Sequence, residues 1–315
     1  MKTSLRSAII CRLKRRSHRV LSYLRLHFGL KWTLLMSSIG ETKSAATIIK
    51  PTHGWLPLDL HSLWEYRDLL RFLTWRDVKV RYKQTALGVT WALIQPLLVM
   101  GAFSIFFGRL AKIPSDGHPF PIFVLSGLIP WQLFAHALAH SSNSLVASER
   151  LITKIFFPRL LIPLSAVLSG LIDFLIAFVI VLVLLAHYEI SPRIAFLSIP
   201  FFVLLTLATA LAVGLWFSAL NVAYRDVRHA VPFIIQFWLF VSPVAYPTSL
   251  VPDPWRLFYA LNPMVGVIEG FRWALLGNTR GLGWELVISL AVVTVLLIGG
   301  LYYFRRMEKT FADIL

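Results

Sequence analysis

Cysteine is nearly absent: Cys11 stands alone among 315 residues, which excludes a disulfide framework within the chain and any multi-cysteine metal site. Charge is scarce as well. Only 15% of residues are Asp, Glu, Lys or Arg, against about a quarter in soluble domains. Acid is the scarcer sign, with 15 Asp and Glu against 31 Lys and Arg and a formal net charge of +16. No G-x-x-x-x-G-K-[ST] phosphate loop occurs, so this chain cannot itself supply a P-loop ATPase. No internal repeat is visible, which argues against the duplicated architecture of many secondary transporters.

Apolar residues fill the space that charge leaves, at 57% of the chain. That composition belongs to an integral membrane protein. The basic residues do not cover a soluble domain; seventeen of the 31 lie in residues 1–83, before the first membrane-length run. Basic stripes beside a bilayer answer to lipid and topology rather than to nucleic acid.

Residues 1–50 hold eleven Lys and Arg against one acid, Glu41. Leu26–Met36 is too short, and too interrupted by Lys31, to span a bilayer. It also lacks a small-x-small cleavage site. Residues 1–55 read either as a basic, disordered tail or as a segment containing the true start at Met36, with residues 56–315 forming the membrane domain.

The chain is organised around Leu63–Pro96. Leu63, Tyr66, Leu70 and Leu73 recur at helical spacing and form one stripe, with Arg67, Asp68 and Arg71 on the other side. After Trp75 the pattern rotates, so that Arg76, Lys79 and Lys83 form a basic stripe and Trp75, Val78 and Tyr82 an apolar one. A helix over 60–83 with these faces lies in the membrane–water interface, its cations near anionic headgroups. Two roles are open: a juxtamembrane anchor obeying the positive-inside rule, and a contact to a phosphate-bearing substrate at the cytoplasmic face.

Six spans are predicted, over about 86–108, 119–144, 160–187, 194–221, 230–246 and 285–304. The first uncharged run, Gln84–Gly108, is about 37 Å long as a helix and is long enough to cross. Ser141–Lys154 is a polar loop with a short amphipathic helix, ended by the turn at Phe157-Pro158-Arg159. Residues 247–280 mix short apolar pieces with Pro252, Pro254 and Pro263 and with Asp253, Arg256, Glu269 and Arg272. None of these pieces can cross, so a re-entrant pair of short helices is expected, covered by other protein. The fold class is therefore all-α integral membrane, with six transmembrane helices preceded by an amphipathic interface helix. Six spans put both termini on one side. With the N-terminus inside, that side carries twenty-five Lys and Arg against six, although the contrast rests mainly on the stretch before the first span.

Five stretches in order carry a resemblance: RDVKVRYKQTALGVTWALIQP within Leu63–Pro96, KIFFPRLLIP at Lys154–Pro163, NVAYRDVRHAVPF at Asn221–Phe233, SPVAYP at Ser242–Pro247 and LNPMVGVIEGFRWALLG at Leu261–Gly277. From about Trp55 to Leu315 the chain resembles the ABC-2 type permeases that export polysaccharides, such as O-antigen, capsule and teichoic acid. The resemblance implies a homodimer in the bacterial inner membrane, paired 2:2 with a separate nucleotide-binding subunit that holds ATP and magnesium. It implies no catalytic residue, no metal and no cofactor in this chain, and cytoplasmic termini. Ser148, Glu149, Arg150 and Lys154 then fall in the coupling helix that docks into the ATPase, and Pro247–Gly277 forms the external gate. The family's glycans travel on undecaprenyl diphosphate or a related lipid. A diphosphate suits Arg67, Arg71, Arg76, Lys79, Arg81 or Lys83, because Arg pairs with phosphate oxygens through a planar fork.

The chain has 23 Phe, 11 Trp and 9 Tyr, and aromatic faces let a sugar polymer slide. Trp91, Phe103, Phe106, Trp238, Phe240 and Tyr246 are the candidate channel lining, with interfacial belts and helix packing as the competing reading. Asp173 is the carboxylate inside an uncharged span, where ionisable groups are costly; a dimer contact or a neighbouring polar group is expected to meet it. His136 and His140 share a helix face, but no third metal ligand stands at suitable spacing. Besides a scaffold subunit without transport, two alternatives remain. One is an ABC-2 permease for a drug or small lipid. The other is a membrane-embedded glycan-assembly transferase, against which stands the lack of a D-x-D pair or a clustered His/Asp set.

The two roles of residues 60–83 separate on Arg67→Lys, Arg71→Lys, Arg76→Lys and Arg81→Lys. An anchor acts through summed charge, about 1 kcal/mol per basic residue, and all four changes then leave export intact. A diphosphate site needs the fork, and one or two changes then lower surface glycan and raise lipid-linked glycan inside the cell at unchanged membrane level.

Overall fold

Every regular element among the described residues is a helix, as expected where backbone polar groups must be satisfied without water. The computed structural model describes residues 60–83, 88, 90–191, 193–277 and 283–314. They fall within the unit Pro57–Leu315. The basic tail 1–55, the start question at Met36 and the junction 84–87 lie outside the described residues.

In chain order the helices are α1 (Leu60–Glu65), α2 (Arg67–Lys83), α3 (Thr90–Phe103), α4 (Phe120–Ala147), α5 (Glu149–Lys154), α6 (Leu161–His187), α7 (Ile199–Ala223), α8 (Val227–Val241), α9 (Asp253–Ala260), α10 (Pro263–Leu276), α11 (Trp284–Glu308) and α12 (Phe311–Ile314). A π-helical stretch, Ser104–Leu110, extends α3, and a 3-10 turn, Ile194–Ser198, leads into α7. The helix expected over 60–83 is broken once, by a turn at Tyr66.

Among the described residues, five stretches are long and apolar enough to cross a membrane: Thr90–Leu110, Phe120–Ala147, Leu161–His187, Ile194–Ala223 and Trp284–Glu308. The fifth expected span, 230–246, is shorter than the sequence pattern suggests. Its helix stops at Val241 after 15 residues, about 22 Å against a hydrocarbon core of about 30 Å. The cause is local. Ser242 precedes Pro243, which disfavours helical backbone, and Ser242 turns extended at ψ 147°.

The centre of the unit is α4. Of its membrane-length window 78% is buried, against 6% for Thr90–Leu110 and 17% for Trp284–Glu308, so α4 is the hub and α3 and α11 are peripheral in the protomer. Packed on α4 are α3, α6, α7, α8 and α10, while α11 lies on α7 and α10 and α2 lies on α6. Small residues make the close approaches possible. A Cβ on Gly214 would stand 2.5 Å from Ser141 Oγ, and one on Gly270 would stand 2.0 Å from the Phe202 ring. Hydroxyls inside the bundle return to their own helices: Ser126 bonds Phe123 O at 2.7 Å, Thr206 bonds Phe202 O at 2.7 Å and Thr209 bonds Leu205 O at 2.7 Å. Such i−3 and i−4 bonds satisfy a polar group without a partner helix.

Two cores result. One gathers Leu125, Phe134, Phe174, Phe202 and Phe271. The other gathers Leu73, Leu145, Ile152, Leu161, Phe304 and Phe311 near the ends of α4, α6 and α11.

Gly270→Ala forces the Phe202 ring aside and is expected to cost about 1–3 kcal/mol, read as a lower thermal midpoint in detergent. Gly101→Ala, whose Cβ meets nothing within 4 Å, is the matched control and lowers no midpoint.

Candidate functional site

The apolar stripe of α1 and α2 turns toward the second core. Leu73 and Val78 are buried, and Leu63, Tyr66 and Leu70 pack against the cluster that holds Leu73. Leu73 joins the cluster of Leu161 and Ile162, while eight residues later Arg81 reaches Ser169 and Asp173. The two helices therefore run side by side in the same direction for about 12 Å. This carries Arg81 and Tyr82 twelve residues into α6.

There Asp173 takes the Arg81 guanidinium on Oδ2 and the Tyr82 hydroxyl on Oδ1. Arg81 Nη2 also donates to Ser169 Oγ at 3.2 Å. Burial, together with the Asp173 carboxylate, pushes the Tyr82 hydroxyl up to about 12, so it stays a donor. From α4, His136 Nε2 lies 3.5 Å from Asp173 Oδ2 without a hydrogen bond, and the His136 and His140 rings stand 4.1 Å apart. Among the described residues no group of three or more His, Cys, Asp or Glu is placed to hold a metal.

These groups form one end of a cavity of about 800 Å³ between α3, α4 and α6. Trp91, Gln95, Trp131 and Gln132 line it, and Val99, Leu128, Ile129, Phe174 and Ala177 are part of its apolar lining. An amphipathic cavity of this size suits a small-molecule or lipid-like ligand.

A second polar bracket holds the segment between α8 and α10. Asn262 caps α10, accepting from Met264 N at 3.1 Å, with Pro263 at the first helical position. Its Oδ1 also accepts from Trp238 Nε1 at 2.9 Å, and its Nδ2 donates to Ser242 Oγ at 3.0 Å. Arg272 is 1% exposed. It donates to Val244 O at 2.8 Å and Tyr246 O at 3.3 Å, pairs with Glu269 at 3.1 Å, and stacks 3.8 Å from the centre of the Phe123 ring. The Tyr246 hydroxyl lies 2.9 Å from that of Tyr259.

The residues singled out from the sequence fall in different places. Of the six basic candidates, Arg81 alone lines the cavity. Arg71 pairs with exposed Asp68, Arg76 pairs with Asp77, and Lys79 and Arg67 sit over Trp75 and Trp64. Lys83 is exposed. Trp75 points outward, parted from Val78 and Tyr82 with which its spacing grouped it. Of the aromatics, Trp91 lines the cavity; Trp238 packs edge-on against Phe134 at 5.1 Å, and Phe103 packs on Phe107 at 5.3 Å. Phe106 and Phe240 are exposed, and Tyr246 belongs to the bracket. Ser148 starts α5 by accepting from Leu151 N at 2.9 Å. Ile152 buries against the second core, leaving Glu149, Arg150 and Lys154 exposed. Exposed Ile155 and Phe156 follow.

Sequence reasoning missed Tyr82 as a partner of Asp173, and Gln95, Trp131 and Gln132 as cavity lining. Two glutamines within uncharged runs were the available signal. It also missed Arg272 and Asn262 as the bracket; the capping pair Asn262-Pro263 was the signal there.

The family profile described as ABC-2 type transporter matches residues 68–276. The O-antigen export system permease protein RfbA of Myxococcus xanthus is 32% identical over 256 residues, covering 79% of this chain and 96% of that protein. A protein of the same name from Klebsiella pneumoniae is 30% identical over 250 residues, covering 79% and 95%. The polysialic acid transport protein KpsM of Escherichia coli is 24% identical over 248 residues, covering 74% and 91%.

Arg272 lies inside the matched residues, and Arg272→Lys tests its bracket. One ammonium cannot serve two carbonyls, a carboxylate and a ring face at once. The change is expected to cost about 1–3 kcal/mol, read as a lower thermal midpoint in detergent. An unchanged midpoint would show that the bracket does not hold the segment.

Proposed function

Because the chain belongs to the ABC-2 type transporter family, we propose that it moves a lipid-linked polysaccharide of the undecaprenyl diphosphate type outward, using ATP hydrolysed by a separate partner. It is the permease of a polysaccharide ABC exporter, a multi-pass membrane protein and a transporter subunit rather than an enzyme. The observation that carries the reading is similarity to two kinds of glycan permease at once, over 96% and 91% of their lengths and 79% and 74% of this chain.

The finer parts are our reading. Two copies pair with two nucleotide-binding subunits, which hold the ATP and magnesium; this chain needs no cofactor of its own. The helix α5 docks into the ATPase. Its support is a short helix anchored by Ile152, with Glu149, Arg150 and Lys154 turned outward and exposed Ile155 and Phe156 beside them. The helix α8 serves as the fifth crossing together with the turn after it, and α9 and α10 form the re-entrant pair. Both termini are cytoplasmic, in the bacterial inner membrane.

Co-expression with its cognate ATPase is expected to give a 2:2 complex, and cells lacking the chain should accumulate lipid-linked glycan inside. Cysteines at 149, 150 or 154 should crosslink to the ATPase. Impermeant labels should reach 112 and 193 from outside, and 225 and 309 only after lysis. Crosslinks confined to the permease would sink the coupling assignment, and outside labelling of 309 would sink the six-span topology.

A further inference from the structure

The end of the cavity is built as an anion cradle, and the anion in it is the chain's own. Arg81 and Tyr82 both donate to Asp173, Ser169 steadies the guanidinium at 3.2 Å, and His136 waits at 3.5 Å with neither ring nitrogen hydrogen-bonded. A guanidinium fork, a phenol and an imidazole converging on one point is a donor set suited to the several oxygens of a phosphate. Beyond them the lining changes character. Along α4 from His140 to Leu128, about 18 Å of helix, it passes through His136 and Gln132 to Ile129 and Leu128, with Phe174 and Ala177 opposite on α6. A charged head and an apolar tail fit that gradient; a free sugar or a free anion fits only one end.

We propose that this cavity binds the phosphate end of an amphiphile, and that Asp173 keeps the phosphate's place until the ligand displaces it from Arg81 and Tyr82. The proposal deepens the export reading by giving its lipid diphosphate a site; the binding chemistry itself rests on the cavity alone. An internal carboxylate in the cradle has a physical use. It keeps Arg81 from standing uncompensated in a low-dielectric site, which is costly. It also sets a threshold, since a ligand must bring more negative charge or more acceptor oxygens than one carboxylate does. A diphosphate meets that condition and a neutral prenol does not. In the same way the contact couples occupancy to α2: exchange at Asp173 frees the end of a helix otherwise tied to α6.

The test uses the full chain in phosphatidylcholine nanodiscs with radiolabelled farnesyl diphosphate as probe. Wild type is expected to bind it, with farnesol and inorganic diphosphate competing weakly. Asp173→Asn keeps the shape but removes the competing charge, and should tighten binding about tenfold, while Arg81→Gln and the double variant lose it. Unchanged or weaker binding in a normally melting Asp173→Asn protein would overturn the proposal and leave the ion pair as a tie between α2 and α6. Equal competition by farnesol would also overturn it, leaving an apolar pocket. Should Asp173→Asn fail to fold, Arg81→Lys decides, because it keeps the charge and loses the fork: about tenfold weaker binding supports the site and unchanged binding sinks it. Nanodiscs containing phosphatidylglycerol distinguish the source of the phosphate. Strong competition there supports the site but assigns it to bulk lipid, whereas none supports a prenyl diphosphate. Surface glycan measured in the same variants keeps the two readings apart. A flat binding series beside intact ATP-dependent export sinks this site alone, and the expected binding beside no glycan export by wild type sinks the export reading alone.

Discussion

A polar group in an apolar surrounding must find its partner inside the protein, and that constraint orders most of this structure. Helix backbones satisfy themselves. Buried serine and threonine hydroxyls such as Ser126, Thr206 and Thr209 return to their own carbonyls, which leaves α4 free to pack against several neighbours without polar conditions. Where the chain leaves helical form, between α8 and α10, its carbonyls are collected by Arg272 and its turn is pinned by Asn262. A buried guanidinium is costly unless fully used. Here both Nη groups are used, by two carbonyls and a carboxylate, and the guanidinium face lies on an aromatic ring, while Nε alone is left without a hydrogen bond.

The same rule explains the pairing of α2 with α6. Asp173 lies too far into an apolar helix to be left to water, and the groups that meet it come from a helix that amphipathicity alone assigns to the membrane surface. The attraction between Asp173 and the Arg81–Tyr82 pair thus sets the rotation of α2: Val78 turns inward, Trp75 turns out beneath Lys79, and the basic candidates are sorted. Arg81 faces the cavity, while Arg67, Arg71, Arg76, Lys79 and Lys83 remain on the outer side with local partners or solvent. One helix thereby serves two environments, a charged outer face and a single half-buried cation.

Much was legible beforehand because its causes are local. Long uncharged runs can only be helices in a bilayer, so the positions of α3, α4, α6, α7 and α11 follow from composition. Prolines at 252, 254 and 263 announced that the helices there would be short, as Asp253–Ala260 and Pro263–Leu276 are. The amphipathic stripe of Leu63, Tyr66, Leu70 and Leu73 faces inward as its spacing requires, with Leu73 buried and the other three half-buried against the second core. The run 230–246 misled as to helix length, because it stays uncharged through SPVAYP while the helix cannot continue: Ser242 before Pro243 ends it at Val241.

The sequence by itself thus determined the helical class, the membrane setting, most span positions and, through five ordered motifs, the family. Each of these depends on periodicity, composition or neighbours within a few residues. Only the tertiary structure decided which of six similar cations faces a cavity, which aromatics line it and what satisfies Asp173. Those outcomes depend on contacts between residues about ninety positions apart, Arg81 with Asp173 and Tyr82 with Asp173. No spacing rule reaches that far, because the choice is made by the rotation of one helix against another once both have formed.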